Sequence, residues 1–466
     1  MPLPDLIEIV PLDKPVHAEI TVPGSKSITN RALILAVLAD GQTKLQGALW
    51  SEDTQVMVEA LQKLGFEVKV EPEPEEVCNR TITLRGLGGK IPNAGTKEKP
   101  LELFVGNAGT AARFLAALIC LGKGVYRLHG VPRMHERPQA ALFSALRELG
   151  YSVESANDKL PATIFGNKER KSQGLLKFGV REKRKAVVSI GESSQFASAL
   201  LLCAKRGGWE VEVYGENAEE SPYVAMTSKL IEAFPHQGGK FRIEPDASSG
   251  SYFWAAGWLL GVIDLENTFK IAGSGQDFPP GESFGSFLQR SQVSVLDWPD
   301  SGWQLDADFT LFVKTHNRHP SAISRVHDLG DSIMTAIVVA PAGSKKVQFT
   351  NLGRLRLQES ERVVGLRTEL TKCGTKVIES GDTLEVFPSK LHGAEIETYN
   401  DHRMAMCFAI LGLKVPGIRI KNPACVKKTF PNFFQKLAAA PPHGLGAEIR
   451  DAKTGKRLAV EELFAE

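Results

Sequence analysis

The feature that most constrains the fold of this chain is a helix pattern that recurs along its whole length. A short stretch of small polar residues is followed at once by an Ala-rich apolar run, as expected where a loop leads into a buried helix. Six stretches have this pattern: "PGSKSITNRALILAVLA" (23–39), "GNAGTAARFLAALIC" (106–120), "GESSQFASALLLCA" (191–204), "PDASSGSYFWAAGWLL" (245–260), "LGDSIMTAIVVA" (329–340) and "YNDHRMAMCFAILGL" (399–413).

A second pattern follows most of these stretches. An amphipathic helix ends, usually at a glycine, and a strand rich in β-branched residues begins directly after it. The pattern is clear at 59–68, 144–153, 286–295 and 368–377, and weaker at 227–239 and 433–444. Together the two patterns predict six α/β units at an irregular spacing of roughly 55–85 residues. Six unrelated Ala-rich core helices are the alternative that the patterns leave open.

Composition narrows the class of protein. A chain of 466 residues with 24% charged residues and a net charge of +2 is typical of a multidomain globular protein, and its near-neutral balance does not favour bulk binding to nucleic acid or membranes. The six cysteines form no CxxC pair and the ten histidines show no ligand spacing, which indicates reduced thiols and no protein-held metal. No apolar run approaches the ~20 residues of a membrane span, and the first residues lack the features of a signal peptide. We therefore expect a cytoplasmic protein.

The first of the six helices begins with residues that an isolated helix would avoid. Lys26 and Arg31 lie in its first turns, where free N–H groups and the helix dipole already favour negative charge. Added cations at that end are unfavourable for the helix alone, so they predict a bound anion. The run is not a P-loop, because it lacks the GxxxxGK spacing.

Charged residues also occur at the starts of later helices and in turns. They are Asp331, Asp401, His402 and Arg403 at helix starts, and Arg133, Arg137, Arg362, Lys427 and Lys428 in turns. Taken singly, each is most simply a solvated surface charge. If the repeated units bring them together, they form a strongly cationic site for a multiply anionic small molecule. Asp331 and Glu359 are then the candidate acid–base groups, although a carboxylate among cations is ordinarily ionised.

Seven motifs, in this order, resemble one enzyme family. "PGSKSITNRALILA", "LFVGNAGTAARFLAA", "PRMHERP", "SSQFASALLL", "DASSGSYFWAA", "TYNDHRMAMCFAI" and "KTFP" are similar to motifs of the 5-enolpyruvylshikimate-3-phosphate (EPSP) synthases, a family of enolpyruvyl transferases. The motifs span nearly the whole chain. Each would be weak alone, and together they are highly specific.

The resemblance implies a fold and a division of the chain. The fold is a two-domain inside-out α/β barrel with three βαβαββ-like repeats per domain and the active site in the interdomain cleft. The first domain is expected to comprise 24–244 and the second to comprise 1–23 together with 245–466. That the N-terminal strands join the C-terminal domain is implied by the family, since the residues alone do not show it.

The implied activity is that of a 3-phosphoshikimate 1-carboxyvinyltransferase. Such enzymes transfer the enolpyruvyl group of phosphoenolpyruvate to the 5-hydroxyl of shikimate 3-phosphate and release phosphate. This step of the shikimate pathway leads to chorismate and the aromatic amino acids, and it is the target of glyphosate. The family implies no metal and no other cofactor, no nucleic-acid or membrane partner, and a monomer.

Site residues follow from the resemblance, motif by motif. Phosphoenolpyruvate is expected to bind Lys26, Gly109, Arg137, Gln195, Arg362, Arg403 and Lys428. Shikimate 3-phosphate is expected to bind Lys26, Ser27, Arg31, Thr110, Ser193, Ser194, Gln195, Tyr223, Asp331 and Gln358. The catalytic residues are expected to be Lys26, Asp331, Glu359 and His402.

The implied roles are specific. Asp331 takes or orients the proton of the acceptor hydroxyl, and Glu359 delivers a proton to the methylene carbon C3 of the donor. His402 is expected to hydrogen-bond near Glu359. A tetrahedral ketal phosphate forms and then loses phosphate and a C3 proton.

Several positions depart from the family pattern. Gln358 stands where Lys is usual, Arg354 where Asn is frequent, and Glu220 where Ser is usual unless Ser221 replaces it. All three positions belong to the implied acceptor-phosphate site. They indicate either local drift with compensation or a different cyclic alcohol as acceptor. Phe114 follows Arg113 where many members carry Pro, next to the implied donor site.

Three rival functions are weaker. The UDP-N-acetylglucosamine enolpyruvyl transferases open with Lys-Asn and use a loop Cys, and "GVPRMHERP" contains none. RNA 3'-phosphate cyclases need a nucleotidylated His. A non-catalytic anion-binding protein does not need Asp331, Glu359 and His402 together.

Overall fold

The computed structural model describes residues 3–167, 184–215, 221–261, 292–315 and 322–465. Two sequence features named above, residues 286–291 and Glu220, lie outside the described residues. The chain divides into two compact units. We call Gly24–Glu244 the inserted unit, and Met1–Pro23 together with Pro245–Glu466 the split unit.

The chain begins with two strands of the split unit, β1 (Leu6–Ile9) and β2 (His17–Ile20). The inserted unit then contributes ten strands and seven helices from its described residues. Its strands are β3 (Gln42–Leu49), β4 (Val68–Pro72), β5 (Asn79–Arg85), β6 (Leu101–Phe104), β7 (Val125–His129), β8 (Ser152–Glu154), β9 (Ala162–Phe165), β10 (Arg184–Ser189), β11 (Trp209–Tyr214) and β12 (Gly239–Arg242). Its helices are α1 (Lys26–Leu38), α2 (Glu52–Lys63), α3 (Gly109–Ile119), α4 (Pro132–Glu136), α5 (Ala140–Glu148), α6 (Gln195–Gly207) and α7 (Pro222–Ala233).

The strands of the inserted unit form three sheets in its described part. Their orders are β12-β3-β5-β4, β6-β7-β9-β8 and β10-β11. In both four-stranded sheets the first two strands are parallel and the remaining neighbours are antiparallel. Helices α3 and α6 make the crossovers β6-α3-β7 and β10-α6-β11, because parallel neighbours need a long connection.

Three helices form the centre of the inserted unit. Every residue of α3 is buried, and α1 is buried from Ile28 to its end. The two helices pack against each other and against α6. A helix surrounded by neighbours must be apolar on all sides, and small residues such as Ala let helices approach closely. This explains the Ala-rich runs in the sequence.

The split unit continues from α8 to the C-terminus. Its further strands are β13 (Gln292–Val295), β14 (Ala322–Ser324), β15 (Val347–Thr350), β16 (Val377–Ser380), β17 (Thr383–Val386), β18 (Glu395–Ile396), β19 (Ile418–Lys421) and β20 (Ile449–Asp451). Its longer helices are α8 (Ala247–Gly261), α9 (Phe309–Thr315), α10 (Ile333–Val339), α11 (Arg362–Lys372), α12 (His402–Gly412) and α13 (Phe433–Ala438). Single helical turns occur at Leu305–Asp308, Arg325–Leu329, Gly330–Ser332, Ala340–Ala342, Gly353–Leu357, Pro423–Lys428 and Val460–Leu463.

The described strands of the split unit also form three sheets. Their orders are β14-β15-β17-β16, β18-β19-β1-β20 and β13-β2. Strand β1 pairs antiparallel with β19, with Ile7 opposite Ile420, and β2 pairs parallel with β13. The first twenty residues therefore complete sheets of this unit. Helices α8, α10 and α12 pack together at its centre and contribute to one continuous apolar core.

All six Ala-rich stretches contain a buried helix, so this prediction is confirmed for α1, α3, α6, α8, α10 and α12. The mixture of helices with parallel and antiparallel strands confirms the α/β class. The closure of each unit into a barrel and the equivalence of six repeats stay predictions. Within the described ranges, no helix is long and apolar enough to cross a membrane.

Candidate active site

The start of α1 presents the first predicted site residues. Lys26 is the first residue of the helix and Ser27 the second. The Lys26 ammonium lies 3.2 Å from Oδ2 of Asp53, a buried residue in the first turn of α2. This ion pair holds the lysine in place at the helix start. Sequence reasoning missed Asp53, although an acidic residue in the first turn of a capped helix is a recognisable sequence signal of a helix start.

Arg31 is buried one turn further along α1. Its Nε donates to Thr227 Oγ1 at 2.7 Å, and Nη2 donates to Ser198 Oγ at 3.0 Å. Its remaining bonds go to backbone carbonyls of Ser27 and Tyr223. No carboxylate in the described part of the chain pairs with this guanidinium, and burial lowers its pKa to about 10.

Phe114 lies beneath the same guanidinium. The Arg31 Cζ atom is 5.3 Å from the centroid of the Phe114 ring, a cation–π distance. The residue that departs from the family pattern therefore packs against Arg31. Its ring takes part in holding a residue expected to bind the acceptor.

Two further guanidinium groups converge on Gly109, the first residue of α3. A side-chain carbon at position 109 would lie 2.4 Å from Arg113 Nη1 and 2.7 Å from Arg137 Nη2. A side chain at this position would have to displace these guanidinium groups. Arg137 is buried, its Nη1 donates to the Asn107 carbonyl at 3.0 Å, and no described carboxylate forms an ion pair with it. Cationic groups thus stand beside the free N–H groups of a helix start.

Gln195 links the starts of α3 and α6. Its amide nitrogen donates to Thr110 Oγ1 at 3.0 Å, and its amide oxygen accepts from Arg113 Nη1 at 2.9 Å. Its backbone N–H donates to Ser193 Oγ at 3.2 Å. Ser194 is buried and directly precedes α6. Hydrogen bonds therefore join Thr110 at one helix start to Ser193 and Gln195 at the other.

Tyr223 contacts Arg31 from α7. It is the second residue of that helix, and its carbonyl accepts from Arg31 and from Thr227 Oγ1, the latter at 2.7 Å. The inserted unit therefore gathers all its predicted site residues at the starts of α1, α3, α6 and α7 and in the turn after α4, where Arg137 lies. We call these residues the inserted-unit set: Lys26, Ser27, Arg31, Gly109, Thr110, Arg137, Ser193, Ser194, Gln195 and Tyr223.

In the split unit, Arg362 and Asp401 form a buried ion pair. Both oxygens of Asp401 accept from the guanidinium, Oδ2 from Nε at 2.7 Å and Oδ1 from Nη2 at 3.2 Å. Asp401 is fully buried and caps α12 by accepting from the Arg403 N–H at 3.0 Å. Bidentate pairing fixes the orientation of the guanidinium. Although buried, Arg362 keeps a raised pKa because Asp401 and Glu359 stabilise its charge.

Glu359 lies between two cations. Its Oε2 accepts from Arg362 Nη2 at 2.9 Å, and its Oε1 accepts from Lys428 Nζ at 3.0 Å. Two cations at this distance favour the ionised carboxylate. The amide oxygen of Gln358 accepts from Arg362 Nη1. Gln358 is therefore a partner of Arg362 in this structure.

Asp331 is held by two guanidinium groups. Its Oδ1 accepts from Arg325 Nη2 at 2.6 Å, and its Oδ2 lies 3.4 Å from Arg403 Nη2. Burial alone would raise its pKa, and the positive charges of Arg403, Arg325 and Arg362 outweigh burial and hold the pKa of Asp331 below its usual range. The acid–base candidate at this position is therefore an ionised carboxylate.

Asp306 is a second buried carboxyl near Asp331. It accepts from the Ser332 N–H, and a side-chain carbon at Gly330 would lie 2.8 Å from its Oδ2. Burial and the negative charge of Asp331 raise the pKa of Asp306 to about 6. Sequence reasoning missed both Asp306 and Arg325, because neither lies in one of the seven motifs that carry the resemblance.

The two remaining predicted residues of this unit lie at the same helix starts and turns. His402 is buried as the first residue of α12, and its Nδ1 is 3.7 Å from Asp401 Oδ1. Arg354 lies, half-buried, in the turn Gly353–Leu357 that precedes Gln358. A hydrogen bond from His402 toward Glu359 stays a prediction. We call the split-unit set Asp331, Gln358, Glu359, Arg362, His402, Arg403 and Lys428.

Comparisons with known proteins were made on sequence and on structure. The family model of EPSP synthase (3-phosphoshikimate 1-carboxyvinyltransferase) matches residues 11–437. A 3-phosphoshikimate 1-carboxyvinyltransferase of Nostoc punctiforme is 36% identical over 93% of this chain and 98% of its own length. One of Opitutus terrae is 36% identical over 94% of this chain and 98% of its own length.

Solved structures show the same fold at lower identity. An EPSP synthase of Acinetobacter baumannii aligns with a TM-score of 0.62 at 20% identity, over 95% of this chain and 99% of that one. An enolpyruvyl transferase of Streptomyces tendae aligns with a TM-score of 0.59 at 14% identity, over 98% of this chain and all of the other. The fold is therefore the two-domain α/β fold of these enzymes. With the family model matching most of its length, the chain belongs to the EPSP synthase family.

Proposed function

We propose that this protein transfers the carboxyvinyl group of phosphoenolpyruvate to the 5-hydroxyl of shikimate 3-phosphate and releases phosphate. Both substrates carry a carboxylate and a phosphate. The observation that carries the proposal is the presence of buried guanidinium groups, Arg31 and Arg137, that no carboxylate in the described ranges neutralises. Burying a cation is unfavourable unless an anion joins it. The reaction belongs to the shikimate pathway, and names of relatives at about 35% identity agree with it.

The donor is assigned to cations of both units. Lys26, Arg137 and Lys428 bind its phosphate, and Arg362 and Arg403 bind its carboxylate, since a planar guanidinium suits bidentate binding. Gly109 and Gln195 complete the donor site. The convergence of two guanidinium groups on Gly109 supports this assignment.

The acceptor is assigned mainly to the inserted-unit set. Ser27 and Arg31 bind the ring carboxylate, Ser193 and Ser194 bind the phosphate, and Tyr223 flanks the ring. Four N–H groups of Arg31 already donate to protein atoms. Arg31 therefore contributes mainly its charge and one remaining N–H, while Lys26, Thr110, Gln195, Asp331 and Gln358 supply further contacts.

Two carboxylates act in the reaction, Asp331 by orienting the acceptor hydroxyl and Glu359 by proton transfer to the donor. Asp331, ionised and held at both oxygens, accepts a hydrogen bond from the acceptor hydroxyl and directs it at C2 of the donor. Glu359 delivers a proton to C3, which makes C2 electrophilic. The ketal phosphate that forms then loses phosphate and a C3 proton. Clamping of both anions by fixed cations supplies orientation and electrostatic stabilisation.

Donor binding prepares Glu359 for this step. Its two cationic partners, Arg362 and Lys428, are also assigned to the donor. When they turn to the donor's carboxylate and phosphate, the carboxylate of Glu359 loses the charges that favour ionisation. Glu359 can then hold a proton next to the methylene carbon. His402 is assigned to the surroundings of Glu359, and its described contact is with Asp401.

The finer architecture is part of the same proposal. The inserted unit and the split unit correspond to the two predicted domains, 24–244 and 1–23 with 245–466. Three sheets in the described part of each unit support three repeats per domain. The family's inside-out barrel, its interdomain active site and its monomeric state stay predictions, as does the cytoplasmic location.

A phosphate-release assay with phosphoenolpyruvate and shikimate 3-phosphate tests the activity. We expect turnover that Glu359→Gln lowers by about 100-fold or more, the scale of lost general acid catalysis, with substrate binding retained. Glu385→Gln, a surface carboxylate paired with Lys346, is the matched control and should leave turnover unchanged.

The same assay distinguishes other acceptors. Shikimate, which lacks the phosphate, should turn over poorly. Robust turnover of shikimate with none of shikimate 3-phosphate would overturn the proposed acceptor, and near-normal turnover of Glu359→Gln would remove Glu359 from the mechanism.

A further inference from the structure

Arg325 contacts a proposed catalytic carboxylate and has no role in the scheme above. It is 5% exposed and begins the helical turn Arg325–Leu329 that follows β14. Its Nη2 donates to Asp331 Oδ1 at 2.6 Å. The second oxygen of Asp331 faces Arg403 at 3.4 Å.

The backbone between Arg325 and Asp331 is fixed by its own hydrogen bonds. Ser324 Oγ accepts from the N–H groups of Val326 and His327, each at 3.2 Å. The Ser324 N–H donates to Asp328 Oδ2 at 2.7 Å. Gly330 follows with a φ of +52°, a conformation that favours glycine. The arginine is thus presented to Asp331 by a turn of defined shape.

The two guanidinium groups have different functions in the proposed reaction. Arg403 is assigned to the donor, so donor binding competes for its charge. Arg325 contacts the other oxygen of Asp331, Oδ1, and is assigned to no substrate, so donor binding does not compete for its charge. The interaction that keeps Asp331 in one orientation during turnover is therefore the one with Arg325.

We propose that Arg325 is a positioning residue for Asp331. It fixes one carboxylate oxygen, so that the carboxylate stays ionised and its other oxygen is directed at the acceptor hydroxyl. This inference rests on the proposed function. A carboxylate held in this way orients the hydroxyl and does not store its proton, so the proton leaves with solvent or with the released phosphate. Arg325 itself touches no substrate in this scheme.

The charged surroundings of Asp331 agree with this role. Arg325 approaches from the turn after β14, Arg362 from α11 and Arg403 from α12, and together they hold its pKa below the usual range. Asp306 lies in the turn Leu305–Asp308, and burial and the negative charge of Asp331 raise the pKa of this second carboxyl. Although burial alone would lower the pKa of Arg403, the charges of Tyr252, Asp331 and Asp246 raise it.

The dependence of kcat on pH tests the inference in the intact enzyme. With both substrates saturating, Arg325→Gln should lower kcat by about tenfold or more, since small misplacement of a reacting group is costly. In Arg325→Gln the acidic limb of the pH profile should move to higher pH, while the KM for phosphoenolpyruvate should stay near that of the wild type. Arg325→Lys should recover part of kcat. Lys346→Gln removes a surface cation beside the same sheet and should leave the profile unchanged.

A uniform loss of kcat at every pH would overturn the inference, because a purely structural defect acts in that way. An unchanged profile for Arg325→Gln would overturn it as well.

A second measurement does not depend on activity. In the ligand-free protein with 13C-labelled aspartate carboxyl groups, the signal that disappears in Asp331→Asn identifies Asp331. We expect no titration of this signal between about pH 4 and pH 8 in the wild type, and titration at higher pH in Arg325→Gln. Titration of the wild-type signal within this window would overturn the inference, even if Arg325→Gln does not fold. Failure of the phosphate-release assay alone would overturn the proposed function and leave this result standing.

Discussion

Gln358 shows how a departure from a family pattern is accommodated at the level of one residue. Its amide oxygen accepts from Arg362, and Arg362 is also bonded to Glu359 and Asp401. A neutral acceptor suits a position beside a buried guanidinium. The lysine that is usual here would bring a second positive charge to the same place.

Gln358→Lys should therefore change the KM values for the two substrates in opposite directions. The added charge is expected to lower the KM for shikimate 3-phosphate, since a phosphate dianion gains a charge-assisted partner. Repulsion and the lost hydrogen bond should displace Arg362 and raise the KM for phosphoenolpyruvate. Steady-state kinetics with each substrate varied in turn measures both constants. A variant that leaves the KM for shikimate 3-phosphate unchanged would show that position 358 does not contact the phosphate.

Asp306 is a buried carboxyl whose ionisation opposes folding. Its pKa in the folded protein, about 6, lies above the ordinary value for aspartate. Protons therefore bind the folded state more tightly than the unfolded state. The cost of ionising Asp306 is absent below about pH 4, grows as the pH rises, and is complete above the folded pKa.

Asp306→Asn should remove this cost while its amide oxygen still accepts from the Ser332 N–H. We expect the free energy of unfolding to rise by about 1–3 kcal/mol at pH 8 and by about half as much at pH 5. Urea unfolding at the two pH values measures the difference. Asp300→Asn, at an exposed position, is the control and should show no such dependence. An equal change at both pH values would contradict a role for the ionisation of Asp306.

At the scale of elements, local sequence signals predicted the helices and missed the distant partners. Small polar residues before an Ala-rich run mark a helix start whatever surrounds it, so α1, α3 and α12 could be placed. The pairing of β1 with β19 joins segments some four hundred residues apart along the chain, and no local pattern encodes it. Arg325 and Asp306 lie in single helical turns. Turns of this length have too few residues for a periodicity.

The C-terminal segment is an element that the family match does not include. The match ends at residue 437, and the chain continues through β20 and the turn Val460–Leu463. Strand β20 pairs antiparallel with β1 and becomes the last strand of its sheet. Leu463 and Ile449 join the apolar core of the split unit. The segment therefore covers a sheet edge that would otherwise be open.

Leu463→Ala tests the contribution of this segment to stability. The side chain is fully buried, and removing it from a packed core is expected to lower the free energy of unfolding by about 2–5 kcal/mol. Urea unfolding monitored by tryptophan fluorescence gives this value. Glu461→Ala changes an exposed residue of the same turn and should have little effect. Equal stability of Leu463→Ala and the wild type would mean that the end of the chain is not part of the cooperative core.

For the whole molecule, the proposed reaction requires that residues of both units act on the same pair of substrates. The inserted-unit set holds an excess of buried positive charge, although Lys26 forms an ion pair with Asp53. In the split unit, Arg362, Arg403 and Lys428 are paired with Asp401, Asp331 and Glu359, respectively. The inserted-unit set therefore gains more binding free energy from an anion. The cations of the split unit exchange internal ion pairs for bonds to the donor.

Arg137→Ala in the inserted unit and Arg403→Ala in the split unit should accordingly weaken binding of the same substrate. Each is expected to lower kcat/KM for phosphoenolpyruvate by about 30-fold or more, equivalent to about 2 kcal/mol for a charged partner of a desolvated anion. Because both arginines are assigned to one small molecule, the double variant should lose less than the sum of the single losses. Arg133→Ala and Arg419→Ala remove exposed arginines of the two units and serve as controls. If only one of the two buried arginines affects phosphoenolpyruvate, or if the losses add fully, the two units do not share the donor as proposed.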